Sequence, residues 1–300
     1  HGTHLVEHID KVALKEKYAL TGRQVLATFG LLSEGKNIES TLRAMPAIVA
    51  ANQTAMFLVI GKTHPTVVKN DGEVYRNQLE SLVEALNIKE NVRFVNRFLP
   101  LSELLEYLQM TDIYLFTSKD PNQAVSGTFS YAISCGCPVI STPIPHAREV
   151  LGADAGIMID FEAPQQLADA AIRLLSDATL AQNLRANGLH RMASTAWENA
   201  AIAYALLFQE VAHGAFSLNY ATPALKLDHI QKMTTPFGMI QFSKLNQPDL
   251  ESGYTLDDNA RAMIAFAQYF ELTGDRTVLP AMETYLRFIQ FCLQDEGYFL

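Results

Sequence analysis

The sequence predicts an α/β fold: a Rossmann-like parallel sheet of about six strands with helices on both faces, followed by an all-α segment. Short apolar runs rich in β-branched and aromatic residues alternate with longer amphipathic segments up to about residue 160. Nearly continuous apolarity is typical of strands that are covered on both faces. The repeated β-α order indicates parallel strands joined by right-handed crossovers. The apolar runs occupy residues 24–29, 56–61, 92–95, 113–117, 138–142 and 156–159.

Segments with helical periodicity lie between these apolar runs, and after the last run helical segments follow. After residue 160, three helices are predicted in succession without an intervening strand, so the sheet is expected to end there. The helical segments, in chain order, are 37–51, 73–88, 101–110, 127–135, 164–177, 180–194 and 197–213.

The remainder of the chain predicts a second, separate module. A polar, proline-containing stretch at 214–246 is interpreted as a linker or an irregular entry. Two further helices at 255–274 and 278–294, joined by a short turn, are typical of an all-helical module. The predicted domains are therefore 1–213, this linker, and the start of a helical module at 247–300.

Composition excludes several classes of protein. A formal charge of -9 argues against a bulk electrostatic affinity for nucleic acid or an anionic membrane. No apolar run approaches the roughly 20 residues of a membrane-spanning helix. Cys135, Cys137 and Cys292 indicate neither a disulfide framework nor a zinc site, so we expect no metal and a reducing, cytoplasmic location. The chain lacks an initiator Met and stops in mid-pattern, so we expect a piece of a longer protein.

A first candidate anion site follows the first predicted strand, in FGLLSEGKNIE (29–39). Gly30 permits a tight exit from the strand, and Lys36 lies where a helix begins. A helix N-terminus has unpaired N–H groups and a partial positive charge, to which a lysine adds a point charge for a phosphate. No Walker or G-x-G-x-x-G pattern is present, and a surface lysine at an ordinary strand-to-helix loop is the alternative.

A second candidate anion site follows the fourth predicted strand. Ser126 is a good N-cap, Gly127 leaves the following amides uncovered, and Thr128 adds a hydroxyl donor. A plain helix cap is the alternative for this stretch taken alone. Loops at the carboxyl ends of parallel strands lie at the same edge of a sheet, so both helix N-termini are expected to face one crevice.

Several motifs resemble, in order and spacing, the nucleotide-binding half of GT-B glycosyltransferases of family 4. They are HGTH, FGLLSEGKNIE, NVRFVNRFLP with LLEYLQMTDIYLFTS, and SGTFSYAISCGCPVISTPIPHAREV. The resemblance implies a domain that binds a nucleotide-diphosphate sugar, with Lys36 and the amides of Gly127 and Thr128 at the diphosphate. It also implies that an amino-terminal acceptor domain is missing, and that WENAAIAYALLFQEV is the terminal helix that packs toward it.

The sequence departs from that family at three positions. Most members carry Arg one place after the glycine that matches Gly30, where this chain has Leu31. The E-x7-E signature falls on Gln123, at the place of the glutamate near the donor sugar, and on Tyr131, at the place of the glutamate that holds the ribose. Gln123 can still hydrogen-bond a sugar hydroxyl, and Tyr131 can stack on the nucleoside. SGTFSYA resembles SGTLAYA of one branch, so we interpret the changes as a trait of that branch.

Other candidate residues follow the third and fifth predicted strands. Asn96 and Arg97 are expected where the base lies, and Arg97 can stack on the base or contact a phosphate. An exposed loop arginine is the alternative. His146 and Glu149 follow the fifth strand, where a charge at a helix end explains Glu149 equally well. Trp197, the only tryptophan, is expected to pack under the last helix of the first domain.

In the helical module, SGYTLDDNARAMIA (252–265) resembles the opening of an (α/α) toroid module that is sometimes fused behind such transferases. Asp257 and Asp258 are expected at a helix start, where N-capping by one and compensation of the helix dipole by the other is the default interpretation. Paired carboxylates also serve as acid and base in glycoside chemistry, although adjacent helical residues point in different directions. A sugar-processing or sugar-binding role is the alternative.

We therefore expect the donor-binding domain of a retaining glycosyltransferase, which transfers a hexose from a nucleotide-diphosphate sugar to a saccharide-type acceptor. The isolated chain is expected to be inactive, and we expect no cofactor, no obligatory metal and no nucleic-acid partner. Two alternatives stay open. One is a non-catalytic nucleotide- or sugar-binding module, marked by Gln123 and Tyr131; the other is glycosidase-like chemistry in the helical module.

Overall fold

The structure, a computed structural model, describes residues 2–4, 6–212 and 224–299. The chain forms two compact units, His1–Leu218 and Asn219–Leu300. Within the predicted linker, residues 214–223 lie outside the described residues. The finer division of the chain at residues 213 and 247 stays a prediction.

A parallel sheet of six strands forms the centre of the first unit and confirms the predicted fold class. The strands are β1 (Gln24–Phe29), β2 (Ala55–Ile60), β3 (Val92–Val95), β4 (Ile113–Phe116), β5 (Val139–Ser141) and β6 (Ile157–Met158). Their order is β3-β2-β1-β4-β5-β6, and all neighbouring strands are parallel. Because β1 lies beside β4, the loops that follow these two strands lead away in opposite directions and leave a crevice between them.

Ten helices occur in the described part of the first unit, and several of them cover the two faces of the sheet. They are α1 (Lys11–Lys17), α2 (Ile38–Ala51), α3 (Pro65–Asp71), α4 (Val74–Ala85), α5 (Leu101–Met110), α6 (Gly127–Ser134), α7 (Pro145–Leu151), α8 (Pro164–Ser176), α9 (Ala178–Met192) and α10 (Trp197–Val211). One face packs against α2, α4 and α8, and the other packs against α1, α5, α6 and α7. The three helices predicted after the sheet are confirmed as α8, α9 and α10.

The continuous apolarity of the strands follows from these two covered faces. Successive residues of a strand point to opposite faces, so each residue enters one core or the other. In β2, Phe57 and Val59 belong to the core under α2 and α4, whereas Met56 and Leu58 belong to the core on the other face. A polar residue at either kind of position would be buried without water.

The second unit contains the two predicted helices, as α12 (Leu256–Thr273) and α13 (Leu279–Cys292). They pack around Phe266 and Tyr285, whose rings meet edge to face at 5.4 Å between centroids. Buried Asn259 ties the preceding segment to α12, because its Oδ1 accepts from the Met239 amide at 2.7 Å and its Nδ2 donates to the Thr255 carbonyl at 2.9 Å. The stretch interpreted as irregular holds α11 (Asp228–Lys232) and β7 (Ser243–Lys244), and β7 pairs with β8 (Gln247–Pro248) just beyond that stretch.

A substitution at Gly61, directly after β2, tests how tightly the carboxyl edge of the sheet is packed. Its φ is +131°, and a Cβ added there would lie 2.1 Å from the Gly30 carbonyl oxygen. We expect Gly61→Ala to lower the free energy of unfolding by about 3 kcal/mol, from backbone strain and this clash. Gly22→Ala is the matched control, since its φ is +74° but no atom lies within 4 Å of the added Cβ. Its expected loss is about 1 kcal/mol. Equal losses in urea titrations followed by circular dichroism would contradict the tight packing.

Candidate functional site

A cavity of about 460 Å³ lies at the carboxyl ends of β1 and β4, in the crevice between their loops. We call it the first cavity. One wall comes from the segment after β1, and the other comes from the segment between β4 and α6. Five of the predicted site residues line it: Lys36, Gln123, Ser126, Gly127 and Thr128.

Lys36 places a positive charge in this cavity. It ends a 3-10 turn (Glu34–Lys36), and its Nζ donates to the Phe29 carbonyl at 3.2 Å. Gly30 has a φ of +123°, which favours glycine, and a Cβ there would lie 2.9 Å from that Nζ. Burial alone lowers the pKa of Lys36 to about 8, and among the described residues no carboxylate lies within ion-pair distance. The ammonium is therefore desolvated and lacks a counter-charge.

The N-terminus of α6 forms the opposite wall. Ser126 is the N-cap, as predicted, and its Oγ accepts from the Phe129 amide at 3.3 Å. In the described part of the chain, the amides of Gly127 and Thr128 have no acceptor. The Thr128 hydroxyl lies 3.1 Å from the Ser126 Oγ. Two free amides and a hydroxyl thus supply donors at the positive end of a helix.

His146, on α7, holds this helix N-terminus from behind. Its Nδ1 accepts from the Ser126 amide at 3.2 Å, and its ring packs against Phe129 at 5.0 Å between centroids. Burial lowers the pKa of His146, which favours the neutral ring that this bond requires. The sequence placed His146 only after the fifth strand. Nothing in the sequence between Ser126 and His146, which are 20 positions apart, indicates that these two residues meet.

Hydrogen bonds between the two loops fix the width of the cavity. The Thr117 hydroxyl donates to the Lys36 carbonyl at 2.7 Å, and the Lys119 amide donates to the Gly35 carbonyl at 2.9 Å. The Lys119 ammonium also pairs with Glu39 on α2 at 2.7 Å. Sequence reasoning missed these contacts, which join residues about 80 positions apart.

Comparison with known proteins identifies the family of the chain and proteins that share its fold. The family described as glycosyl transferases group 1 matches residues 10–191, which is more than half of the chain. The chain belongs to this family. Its α/β unit is the GT-B Rossmann-like fold of these glycosyltransferases.

Two curated relatives come from corynebacteria. A GDP-mannose-dependent monoacylated alpha-(1-6)-phosphatidylinositol monomannoside mannosyltransferase of Corynebacterium glutamicum is 26% identical over 196 residues, which is 63% of this chain and 48% of that protein. A D-inositol 3-phosphate glycosyltransferase of Corynebacterium urealyticum is 31% identical over 124 residues, or 41% of this chain and 28% of that protein. The chain thus spans about half, or less, of the length of these relatives.

Solved structures share the fold. Sucrose-phosphate synthase from Thermosynechococcus elongatus has a TM-score of 0.59 at 21% identity, covering 71% of this chain and 52% of that one. The Anabaena protein HepE, in complex with UDP, has a TM-score of 0.59 at 17% identity, covering 69% of this chain and 56% of that one.

The departures from the family pattern have visible consequences in this glycosyltransferase chain. Leu31 is 39% exposed and brings no charge to the place of the expected arginine. Gln123 lines the first cavity but uses its amide within its own loop: Oε1 accepts from the Ser118 hydroxyl at 2.8 Å, and Nε2 donates to the Val125 carbonyl at 3.4 Å. Tyr131 lies further along α6, where its ring stacks on His4 at 6.2 Å between centroids.

Asn96 and Arg97 do not join the other predicted residues in the first cavity. Arg97 is exposed and pairs with Glu103, its Nη1 donating to Oε2 at 2.7 Å. Asn96 lines a second cavity beyond the loop that follows β2. Trp197 also differs from expectation, because its side chain is 51% exposed at the start of α10 instead of packing beneath it.

Asp257 and Asp258 lie in the first turn of α12. Thr255 occupies the N-cap position, so neither aspartate is the N-cap that the sequence suggested. Arg261 pairs with Asp257 at 2.9 Å and with Asp258 at 3.0 Å. Their place in the first turn favours dipole compensation, and Arg261 engages both carboxylates.

The described residues show neither a metal site nor a membrane span. No group of three or more His, Cys, Asp or Glu side chains that could hold a metal ion occurs in residues 2–4, 6–212 and 224–299. Over the same ranges, no helix has the length and apolarity needed to cross a bilayer.

The desolvated ammonium of Lys36 is expected to weaken the fold at neutral pH. Its folded-state pKa of about 8 lies below the ordinary value of 10.5, so between these values the unfolded chain binds more protons. The penalty is complete below about pH 8 and fades as pH rises toward 10.5. We therefore expect Lys36→Met to raise the free energy of unfolding by about 1–2 kcal/mol at pH 7, and by less at pH 10.

Urea titrations at both pH values measure this difference. Lys89→Met, at an exposed lysine that precedes β3, is the control and is expected to change stability by less than about 0.5 kcal/mol at either pH. A pH-independent effect of Lys36→Met would show that its ammonium is not desolvated.

Proposed function

We propose that the first unit is the donor-binding domain of a retaining glycosyltransferase that moves a hexose from a nucleotide-diphosphate sugar to a saccharide-type acceptor. One observation carries the proposal: the desolvated Lys36 ammonium faces the open N-terminus of α6 across the first cavity. Both are positive in character. The lining contains one carboxylate, that of exposed Asp120, and it lies outside ion-pair distance of Lys36. A diphosphate group would satisfy both at once.

The same groups would assist the reaction electrostatically. Negative charge grows on the diphosphate as the glycosidic bond breaks, and fixed donors in a partly desolvated site stabilise it without reorganising. Lys36 and the amides of Gly127 and Thr128 would take this role, so the proposal includes no cofactor and no obligatory metal. Gln123, at the cavity wall, would orient a hydroxyl of the donor sugar.

The relatives support this class of donor. One carries GDP-mannose dependence in its name, and HepE has been solved with UDP and with UDP-glucose. We extend the class, a hexose on a nucleoside diphosphate, to this chain without assigning a base or sugar. The SGTLAYA-like branch, the toroid module and a cytoplasmic location remain parts of the same proposal.

A non-catalytic binding module is the second candidate. The observation that favours it is the amide of Gln123, which closes its own loop where most family members have a glutamate. With Leu31 beside the cavity, a single lysine remains among the residues that line it. Such a site can hold a nucleotide without turning it over.

Nucleotide binding tests the donor site directly. We expect calorimetry of the purified chain to show saturable binding of at least one of UDP, GDP and ADP. Lys36→Met should weaken that binding at least about tenfold, because a charge-assisted contact in a desolvated site is lost. Lys89→Met removes the same single positive charge at an exposed position, and it should leave nucleotide affinity unchanged. If the wild-type chain binds none of the three, the donor site is absent and the transferase proposal fails.

Sugar transfer by the chain alone is expected to be undetectable. The chain spans about half of the length of its curated mannosyltransferase relative, and the proposal places the acceptor on the part that is not included. The measurement is the formation of glycosylated product from UDP-glucose and GDP-mannose with mono- and oligosaccharide acceptors. Product formed by the wild-type chain and lost in Lys36→Met would contradict the need for a further domain.

A further inference from the structure

A second cavity, of about 620 Å³, lies at the carboxyl ends of β2 and β3. It is formed by the loop after β2, by α3 and by the first residue after β3. The residues that define it here are Lys62, Thr63, Val68, Lys69, Glu73 and Asn96.

This second cavity is distinct from the first. The Leu32 amide donates to the Lys62 carbonyl at 2.8 Å, and the His64 amide donates to the Leu32 carbonyl at 2.9 Å. The loop after β1 is thus joined to the loop after β2 by strand-like pairing. The two cavities share no lining residue. A ligand in one can therefore bind without contacting the lining of the other.

The charges around the second cavity are mainly positive. Lys62 and Lys69 are exposed, and no carboxylate among the described residues lies within ion-pair distance of either. Glu73, the acid in the lining, is already engaged: it accepts from the Thr63 hydroxyl and lies 3.4 Å from the Nε of Arg76. On a chain with a net charge of -9, two unpaired lysines at one cavity attract an anion locally.

Arg76 reinforces this bias from beneath the cavity. It is 3% exposed, and its Nη2 donates to the Gly61 carbonyl at 2.9 Å. Its Nη1 has no hydrogen-bond partner among the described residues. A buried guanidinium that offsets the Glu73 charge leaves the two lysines uncompensated.

The lining of the second cavity also provides an apolar wall and groups that can bond to hydroxyls. Val68 gives an apolar wall, while the Asn96 amide and the outer oxygen of Glu73 can bond to hydroxyl groups. A volume of about 620 Å³ lies within the range of small-molecule sites. We propose that the second cavity binds a phosphate monoester of a sugar or polyol, with Lys62 and Lys69 at the phosphate and Asn96 and Glu73 at the hydroxyls. The sequence resemblance placed Asn96 near the base of the donor nucleotide, and we assign it here to a ligand hydroxyl instead. The second cavity shares no lining residue with the first, and this proposal does not depend on the proposed donor site.

Glucose 6-phosphate is the probe, measured by calorimetry on the full chain with glucose and inorganic phosphate as comparison ligands. We expect saturable binding of glucose 6-phosphate, and at least about tenfold weaker binding of each comparison ligand, because each keeps only part of the contacts. The double variant Lys62→Met/Lys69→Met should weaken glucose 6-phosphate at least about tenfold. Lys36→Met, Lys89→Met and saturating UDP should change it less than about twofold.

Three results would overturn the proposal. Absence of saturable glucose 6-phosphate binding removes the site. Loss of that binding in Lys36→Met but not in the double variant places the phosphate in the first cavity. Equal affinity for inorganic phosphate removes the sugar part. Circular dichroism confirms that the double variant folds, and UDP titrations of the same variants separate this outcome from failure of the donor site.

Discussion

The approach of the Lys36 ammonium to the backbone of Phe29 and Gly30 is the constraint on which the first cavity depends. It removes a cation from water without supplying a counter-charge, and a buried charge of this kind is costly to the fold. The N-terminus of α6 adds a second region of positive potential on the opposite wall. The sheet holds these two positive features together at one cavity. A diphosphate at the proposed donor site would offset both, so stability would be exchanged for binding at this position.

Hydrogen bonds between the two loops hold the donor groups of the first cavity in fixed positions. Thr117 and Lys119 bind the loop after β4 to the carbonyls of Lys36 and Gly35, and His146 holds the amide of Ser126. The donors are therefore in place before a ligand arrives, and little conformational entropy is lost on binding. The same hydrogen bonds explain why Gln123, which belongs to this loop, lies at the cavity wall although its amide is bonded within the loop.

The sheet and the N-cap at Ser126 were predictable because their signals are local. Each strand is a short apolar run, and a serine before a helix satisfies an amide three residues away. The contact between His146 and Ser126 was not predictable, since it depends on how α7 returns to the sheet. Helices α1 and α3 were missed because seven residues are too few to show a helical period. Arg97 was placed correctly after β3, but its pairing with Glu103 depends on side-chain directions that the sequence does not specify.

The two cavities differ in the cations that line them along the carboxyl edge of the sheet. Leu31 stands where most family members have an arginine, so the segment that separates the cavities carries no cation of its own at that position. Positive charge lies on either side of it instead, at Lys36 and at the unpaired Lys62 and Lys69. An apolar residue between two cationic sites reduces the repulsion that a third cation would add at the pairing of Leu32 with Thr63. The two proposed anion sites therefore have separate cations, Lys36 in one lining and Lys62 and Lys69 in the other.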